Sequence, residues 1–205
     1  MSDDAATPDL GYPVTLAITG ASGAPYAVRL LEALNEQRVA VRLIVSSTGW
    51  RLLEEELGLT SADSLREWTG DWSRVVLYDD ADRGATPASG SAPSRGMVIC
   101  PCSMGTLASI AQGTTRSLIE RAADVCLKER RPLILVPRET PYSAIHLENM
   151  LRVTGAGAVV LPASPGFYQR PKGIGELVDF IVGRVLSQLG LAHSIGPVWR
   201  SGENE

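Results

Sequence analysis

Cysteine and histidine are scarce in this sequence of 205 residues, which has three cysteines and two histidines. Three cysteines cannot all pair within one chain, so a fully paired disulfide framework is excluded. Cys100 falls in an apolar strand pattern and Cys126 in a helical pattern, and we therefore interpret the thiols, Cys102 included, as buried. The spacing of the cysteines and the distant histidines suits no zinc site, so we expect no metal.

A basic surplus and a long hydrophobic run are also missing. The net charge is -4, which argues against a nucleic-acid partner, because binding a phosphate backbone requires many cations. No apolar run reaches the roughly 18 residues of a membrane span. Residues 1–9 are acidic and have no basic n-region, unlike a signal peptide. These features favour a cytoplasmic protein that binds neither nucleic acid nor membrane.

Short β-rich runs alternate with helical patterns, which indicates a parallel sheet with crossover helices. We predict an α/β fold with a single domain, a Rossmann-like (flavodoxin-like) open parallel sheet with helices on both faces. The expected divisions are a disordered extension over 1–12, the domain over 13–191, and a tail over 192–205 that packs near the active site. The predicted strands cover 14–19, 39–45, 75–78, 97–100, 133–136 and 158–161, and predicted helices include 50–57, 64–68, 103–112, 117–130, 143–153 and 174–189.

Glycines and polar residues follow five predicted strands, and ligands of such sheets bind beyond the carboxyl ends of the strands. The backbone N–H groups at the start of the helix after Ser103 suit a phosphate or a flavin edge. The first loop is not G-x-G-x-x-G, so NAD is not favoured, and Ser22 could equally be a plain helix cap. The glycines and polar residues that follow the five predicted strands are Gly20, Ser22 and Gly23, residues 46–48, residues 103–106, residues 138–139 and Tyr168.

Several cations add to this picture. Arg121 and Lys128 are seven residues apart and share a helix face, although a charged helix face is usually only solvated. Arg184 stands in an apolar helix, where it can either snorkel to water or anchor an anion. The neighbours Arg138 and Glu139 could also form a purely structural ion pair. Residues 80–96, the longest irregular stretch, are either a flexible linker or a functional loop.

Six segments together resemble the UbiX family of flavin prenyltransferases in order and spacing, over about residues 14–199. They are Thr19-Gly-Ala-Ser-Gly-Ala24, Cys100-Pro-Cys-Ser103, the run from Leu118 to Val125, the run from Leu127 to Leu133, Val136-Pro-Arg-Glu-Thr-Pro141 and Pro165-Gly-Phe-Tyr168. The resemblance implies a metal-independent transfer of a dimethylallyl group to reduced FMN. A new ring at flavin N5 and C6 gives the prenylated FMN that a UbiD-type decarboxylase uses. It also implies a homo-oligomer, commonly a dodecamer, with sites between subunits.

The resemblance also assigns site residues. Ser22 and Glu139 match the family's proton-handling pair, Arg121 a basic residue that lines the site, and Trp199 a C-terminal aromatic near the prenyl group. Contacts to dimethylallyl phosphate map onto Lys128, Arg138, Tyr168 and Arg184, and Lys128 also counts among the catalytic residues. Contacts to FMN map onto Gly20, Ala21, Ser22, Ser46, Ser103, Met104, Gly105, Thr106 and Arg138.

Two other functions stay open at this point. One is an FMN-dependent enzyme of the related cysteine-decarboxylase group, which would not need the cations at Lys128 and Arg184. The other is a non-catalytic flavin-binding subunit of a decarboxylase. The resemblance does not distinguish a monophosphate from a pyrophosphate donor, and it identifies no pathway.

Overall fold

The computed structural model describes residues 11–196, which build a six-stranded sheet with helices on both faces. The strands are β1 (Val14–Ile18), β2 (Val41–Val45), β3 (Val75–Asp79), β4 (Gly96–Cys102), β5 (Leu133–Pro137) and β6 (Val159–Val160). The helices are α1 (Ala24–Glu36), α2 (Ser47–Leu57), α3 (Ala62–Thr69), α4 (Met104–Ala111), α5 (Leu118–Lys128), α6 (Ala144–Gly155) and α7 (Ile174–Gln188). The predicted extension and tail lie largely outside this range, so the predicted domain boundaries stay a prediction.

All strand pairs in the sheet are parallel, and the strand order is β3-β2-β1-β4-β5-β6. The chain therefore builds outward from β1 in one direction and from β4 in the other. This is the doubly wound Rossmann order, so the predicted fold class is confirmed. A crevice opens where the order reverses, beyond the carboxyl ends of β1 and β4, and it is the expected ligand position.

Alternating strand residues feed two separate cores, because neighbouring side chains in a strand point to opposite faces. Leu16 and Ile18 pack with α1 and α7 on one face, whereas Ala17 packs with α4 and α5 on the other. Cys100, Cys102 and Cys126 are free buried thiols, as predicted. Helices thus cover both faces of the sheet, which leaves the ends of the strands for a ligand site.

Differences from the predicted elements occur mainly at their ends. Helix α2 begins at Ser47, three residues earlier than predicted, because its first turn consists of hydroxyl residues and glycine that follow a serine cap. Strand β6 has only two residues, and the irregular stretch 80–96 contains a short 3₁₀ turn over Thr86–Ala88. Among residues 11–196, no helix is long and apolar enough to cross a membrane.

Candidate active site

Thr19 joins the ends of the two strands that flank the crevice. Its side-chain hydroxyl donates to the carbonyl of Pro101 at 2.8 Å and accepts from the backbone N–H of Ser103 at the same distance. The backbone N–H of Thr19 also donates to Pro101 O, at 3.2 Å. Because Thr19 is 2% exposed, these bonds are shielded from water. They fix the glycine loop after β1 relative to the start of α4.

The glycine loop lies directly against the start of α2. A methyl group on Gly20 would meet the Thr48 hydroxyl oxygen at 2.5 Å, so only glycine fits without a shift. Ser46 accepts from the N–H of Gly49 at 3.0 Å and lies 3.1 Å from the Thr48 hydroxyl. The loop after β1 and the hydroxyls after β2 therefore form one continuous polar surface.

Helix α4 begins at the same edge with a second pair of hydroxyls. Ser103 accepts from the N–H of Thr106 at 3.1 Å, and the two hydroxyl oxygens are 2.9 Å apart. Met104 is buried and Gly105 is exposed, so Gly105 offers the backbone at the helix start. Two helix N-termini, those of α2 and α4, thus present capped, partly exposed first turns to the crevice, an arrangement that suits an anion.

The start of α1, in contrast, already holds a carboxylate. Glu56 of α2 accepts from the N–H of Gly23 at 3.0 Å and from that of Ala24 at 2.8 Å. Gly23 has no side chain to cap the helix, and Glu56 satisfies its free donors instead. Sequence reasoning missed this residue, because a run of three glutamates in a helix is typical of a solvated face.

Arg138 and Glu139 follow β5, and Arg138 contacts the glycine loop from the other side. Arg138 donates from Nε to the carbonyl of Ser22 at 3.3 Å. Glu139 accepts from the N–H of Thr140 in its own loop at 3.1 Å, and in the described part of the chain no ion pair joins it to Arg138. The guanidinium therefore has further donors available, and the carboxylate is not neutralised by its neighbour.

A pocket of about 660 Å³ adjoins this surface beyond the ends of β2 and β3. Its lining includes Val45 and Ser47, the residues on either side of Ser46. The aromatic rings of Trp50 and Tyr78 form another part of its wall. Pockets of roughly 300–1,000 Å³ with apolar walls and a few polar groups are typical of small-molecule sites. The pocket, whose lining also includes Asp79 and Asp80, gives room for a ring system next to the helix starts, which suit a phosphate.

Lys128, however, is not at this edge within one chain. It is the last residue of α5, and Pro132, directly before β5, accepts from the N–H of Met97 near the start of β4 at 2.9 Å. Lys128 therefore lies by the amino ends of the strands, whereas Arg138 follows their carboxyl ends. A five-residue strand is about 16 Å long, at about 3.3 Å per residue. A phosphate that contacts both cations must take them from two different chains.

The other resemblance-derived residues are also spread out. Arg121 pairs with Asp124 at 2.7 Å on α5, and Arg184 is exposed on α7. Tyr168 lies in the loop after β6 with its ring edge-to-face against Phe180, at 6.1 Å between centroids. Trp199 lies outside the described residues. One chain thus assembles the residues predicted to contact FMN together with Glu139, but it does not bring the predicted cation cluster together.

Comparison with known proteins identifies relatives of this chain. Residues 3–186 match the family model described as Flavoprotein. Flavin prenyltransferase UbiX of Pseudomonas aeruginosa is 47% identical over 194 residues, which cover 91% of this chain and 93% of that protein.

Solved structures of similar proteins are also known. AnUbiX in complex with FMN and dimethylallyl pyrophosphate has a TM-score of 0.87 and 39% identity, covering 94% of this chain and 100% of that one. A dodecameric FMN-dependent UbiX-like decarboxylase from Escherichia coli has a TM-score of 0.85 and 42% identity, covering 92% and 100%. The FMN-dependent cysteine decarboxylase TvaF is only 14% identical, at a TM-score of 0.61, and shares the fold alone.

Proposed function

Because the chain belongs to the UbiX family of flavin prenyltransferases, we propose that it transfers a dimethylallyl group from dimethylallyl phosphate to reduced FMN. N5 and C6 of the flavin take up the group, and the prenylated FMN serves a UbiD-type decarboxylase. The observation that carries the proposal is the convergence of the Gly20 loop, the starts of α2 and α4, and the Arg138 loop at one crevice. This convergence provides an FMN site.

The helix starts also direct how FMN lies. A phosphate favours a helix N-terminus with free N–H groups. Glu56 fills that position at α1, and its negative charge would repel a phosphate there. The starts of α2 and α4, with Ser46, Ser103 and Thr106, are left for the flavin phosphate or its polar ring edge. Gly20 lets the loop after β1 lie directly against Thr48 at the start of α2, which keeps these polar groups together.

Donor binding requires cations, because no metal takes part in the proposed reaction. The bond between the allyl carbon and oxygen breaks with both electrons going to the phosphate, whose growing charge Arg138, Lys128 and Arg184 stabilise. Tyr168 adds a neutral hydrogen bond. The aromatic face of Trp199 stabilises the allyl cation, and Arg121 supports the site from α5.

Proton transfers complete the proposed reaction. N5 bonds the allyl carbon and loses its proton. Ring closure then protonates the alkene and bonds its tertiary carbon to C6, which loses a proton in turn. Glu139, relayed through Ser22 or the departing phosphate, carries these protons as general base and acid. Glu139 suits this role because Arg138 does not neutralise it by an ion pair in the described structure, and because it is next in sequence to Arg138, which contacts the Ser22 loop.

A homo-oligomer completes the site in this proposal. Lys128 and Arg138 lie at opposite ends of the strands, so subunits must share them. Helix α6, which follows the Arg138 loop, exposes large apolar side chains on one face: Leu147 is 54% and Leu151, one turn further on, 74% exposed. Such a patch next to a site marks a protein interface. A dodecamer fits the UbiX-like relative that has this assembly.

Free buried thiols support a reducing, cytoplasmic location.

The decisive experiment is anaerobic incubation of the protein with reduced FMN and dimethylallyl phosphate, followed by mass and absorption analysis of the released flavin. We expect a flavin that has gained one prenyl group. Unchanged FMN would overturn the proposed transfer. Parallel reactions with dimethylallyl pyrophosphate and with a cysteine-ended peptide test the choice of donor and the cysteine-decarboxylase alternative. FMN binding without any turnover would instead indicate a non-catalytic flavin-binding subunit.

A further inference from the structure

The irregular stretch 80–96 is held in place by an arginine that follows α5. Arg131 donates from Nη1 to the carbonyl of Ala92 at 2.9 Å and from Nη2 to the carbonyl of Gly90. Two charged hydrogen bonds to nearby carbonyls fix this turn more firmly than neutral bonds would. We name residues 89–92 the pinned turn. It is therefore a fixed surface at the amino ends of the strands.

Gly90 of the pinned turn lies directly against the end of the Lys128 side chain. A methyl group on Gly90 would lie 2.7 Å from Lys128 Nζ and closer still to the Glu129 carboxylate. Lys128 Nζ in turn donates to Glu129, and this hydrogen bond lowers the pKa of the Glu129 carboxyl. The ammonium group is thus held between a carboxylate and a bare stretch of backbone.

The Lys128 ammonium keeps donors available for a ligand. An ammonium has three N–H donors, and one of them is used by Glu129. The Lys128 side chain is 47% exposed, so an anion can reach the remaining donors. A solvated lysine samples many rotamers, and fixing it beforehand reduces the entropy that is lost when an anion binds.

We propose that Gly90, Glu129 and Arg131 are positioning residues that aim Lys128 at the prenyl-donor phosphate in a neighbouring subunit. The inference rests on the proposed function, since it takes Lys128 as a donor contact. It gives the stretch 80–96 a role: the pinned turn lies against the ends of the Lys128 and Glu129 side chains, and a methyl group on Gly90 would displace them.

The first test measures prenylation against dimethylallyl phosphate concentration at saturating reduced FMN. Gly90→Ala displaces Lys128, and we expect the KM for the donor to rise on the order of tenfold, as for a weakened charged hydrogen bond. FMN affinity should be unchanged. Gly84→Ala in the same stretch is the matched control, because its methyl group would meet only Asp82, at 3.4 Å. An unchanged KM in Gly90→Ala overturns the inference.

Variants of Glu129 do not change a glycine of the backbone, and they test the positioning of Lys128 if Gly90→Ala does not fold. If Glu129 only neutralised Lys128, then Glu129→Ala and Glu129→Gln would both lower the donor KM. Positioning predicts that Glu129→Ala raises the KM, whereas Glu129→Gln restores it, because the amide oxygen still accepts from Lys128. A lowered KM in Glu129→Ala contradicts positioning.

A double variant separates this inference from the proposed function. If Gly90 acts through Lys128, then Gly90→Ala adds nothing to Lys128→Ala, and the two effects are strongly non-additive. Additive effects overturn the inference and leave the proposed function intact. A normal donor KM in Lys128→Ala removes Lys128 from the proposed donor site, which is a failure of the proposed function itself.

Discussion

Glu139 and Glu56 are two carboxylates near the candidate site, and their hydrogen bonds suit different tasks. Glu139 accepts a single backbone N–H within its own loop. Glu56 accepts from two consecutive N–H groups at the start of α1. A carboxylate with one weakly engaged oxygen can exchange protons, whereas one committed to two donors is better suited to hold a backbone in place.

Glu139→Gln should therefore separate chemistry from binding. Glutamine keeps the shape and the hydrogen bond from Thr140 but removes the base. Flavin and donor should still bind and the first N5–carbon bond should form, while later proton transfers slow by roughly 10²–10⁴-fold. Quenched single-turnover mixtures should contain a singly attached N5 adduct, detected by mass and absorbance. Full turnover by a stable Glu139→Gln protein would eliminate the proposed catalytic role.

Glu56→Ala should weaken the fold around the glycine loop. Two partly buried N–H groups lose their acceptor, at a cost of about 1–2 kcal/mol. We expect a lower thermal midpoint of the flavin-free protein and weaker FMN binding. Glu56→Gln, which keeps an acceptor oxygen, should recover most of both. Glu54→Ala in the same helix is the control, since Glu54 is exposed. Equal midpoints for all three variants would contradict the capping role.

Residue-level sequence reasoning selected Arg138 and Glu139 because a charged pair at a buried strand end is unusual. It could not select Glu56, whose role depends on how α2 lies against α1. The sequence shows only Glu54-Glu55-Glu56, and nothing in that run distinguishes the capping residue from its solvated neighbours. Sequence patterns do not show which elements that are distant along the chain contact each other.

At the scale of elements, two glycines in the first turns of α2 and α4 have opposite surroundings. A methyl group on Gly49 would lie 2.5 Å from the carbonyl oxygen of Ile18, the last residue of β1. One on Gly105 would meet nothing closer than the Ser103 hydroxyl, at 3.9 Å. The first glycine permits α2 to approach the sheet, whereas the second leaves open space over α4.

Alanine substitutions should thus differ in sign. Gly49→Ala forces α2 away from β1 and should destabilise the flavin-free protein by about 1–3 kcal/mol, as overpacking does. Gly105→Ala should be neutral or stabilising by up to about 1 kcal/mol, because alanine favours a helix. Thermal unfolding at one fixed protein concentration measures both. Equal destabilisation of the two variants would show that space over β1 is not what requires glycine at position 49.

Element types could be predicted from the sequence almost throughout, because the alternation of apolar runs and helical periods is strong. Their ends could not, as α2 and β6 show. Ser47, Thr48 and Gly49 are polar or flexible and look like a loop, yet the Ser46 cap and contact with β1 make them helical. The order of the strands needed the three-dimensional structure, although the parallel arrangement did not.

At the scale of the whole molecule, the cores on both faces of the sheet protect the thiols. Burial raises the pKa of Cys100 to about 12 and that of Cys126 to about 11, and it also raises the pKa of Cys102. A raised thiol pKa keeps the group protonated, and only the thiolate reacts.

Native protein at pH 8 should therefore react with iodoacetamide far more slowly than the unfolded chain does. Unfolded thiols, with a pKa of about 8.5, are largely ionised at pH 9.5, so raising the pH from 8 to about 9.5 should accelerate labelling of the unfolded chain only about fourfold. The native thiols should label more slowly at both pH values but with a steeper relative increase, because their pKa lies well above this range. Mass spectrometry of time points counts the modified cysteines. Rapid native labelling of any one of them would contradict its burial.

The distance between Lys128 and Arg138 in one chain has a genetic consequence. If each site takes Lys128 from one subunit and Glu139 from another, then Lys128→Ala and Glu139→Gln damage the same site through different chains. The two impaired proteins, co-expressed, should then complement each other. Random mixing of the two chains leaves about a quarter of the sites with both native residues. Prenylation by mixed oligomers, set against each variant alone, measures this, and an inactive mixture with intact assembly would mean that one chain supplies both residues.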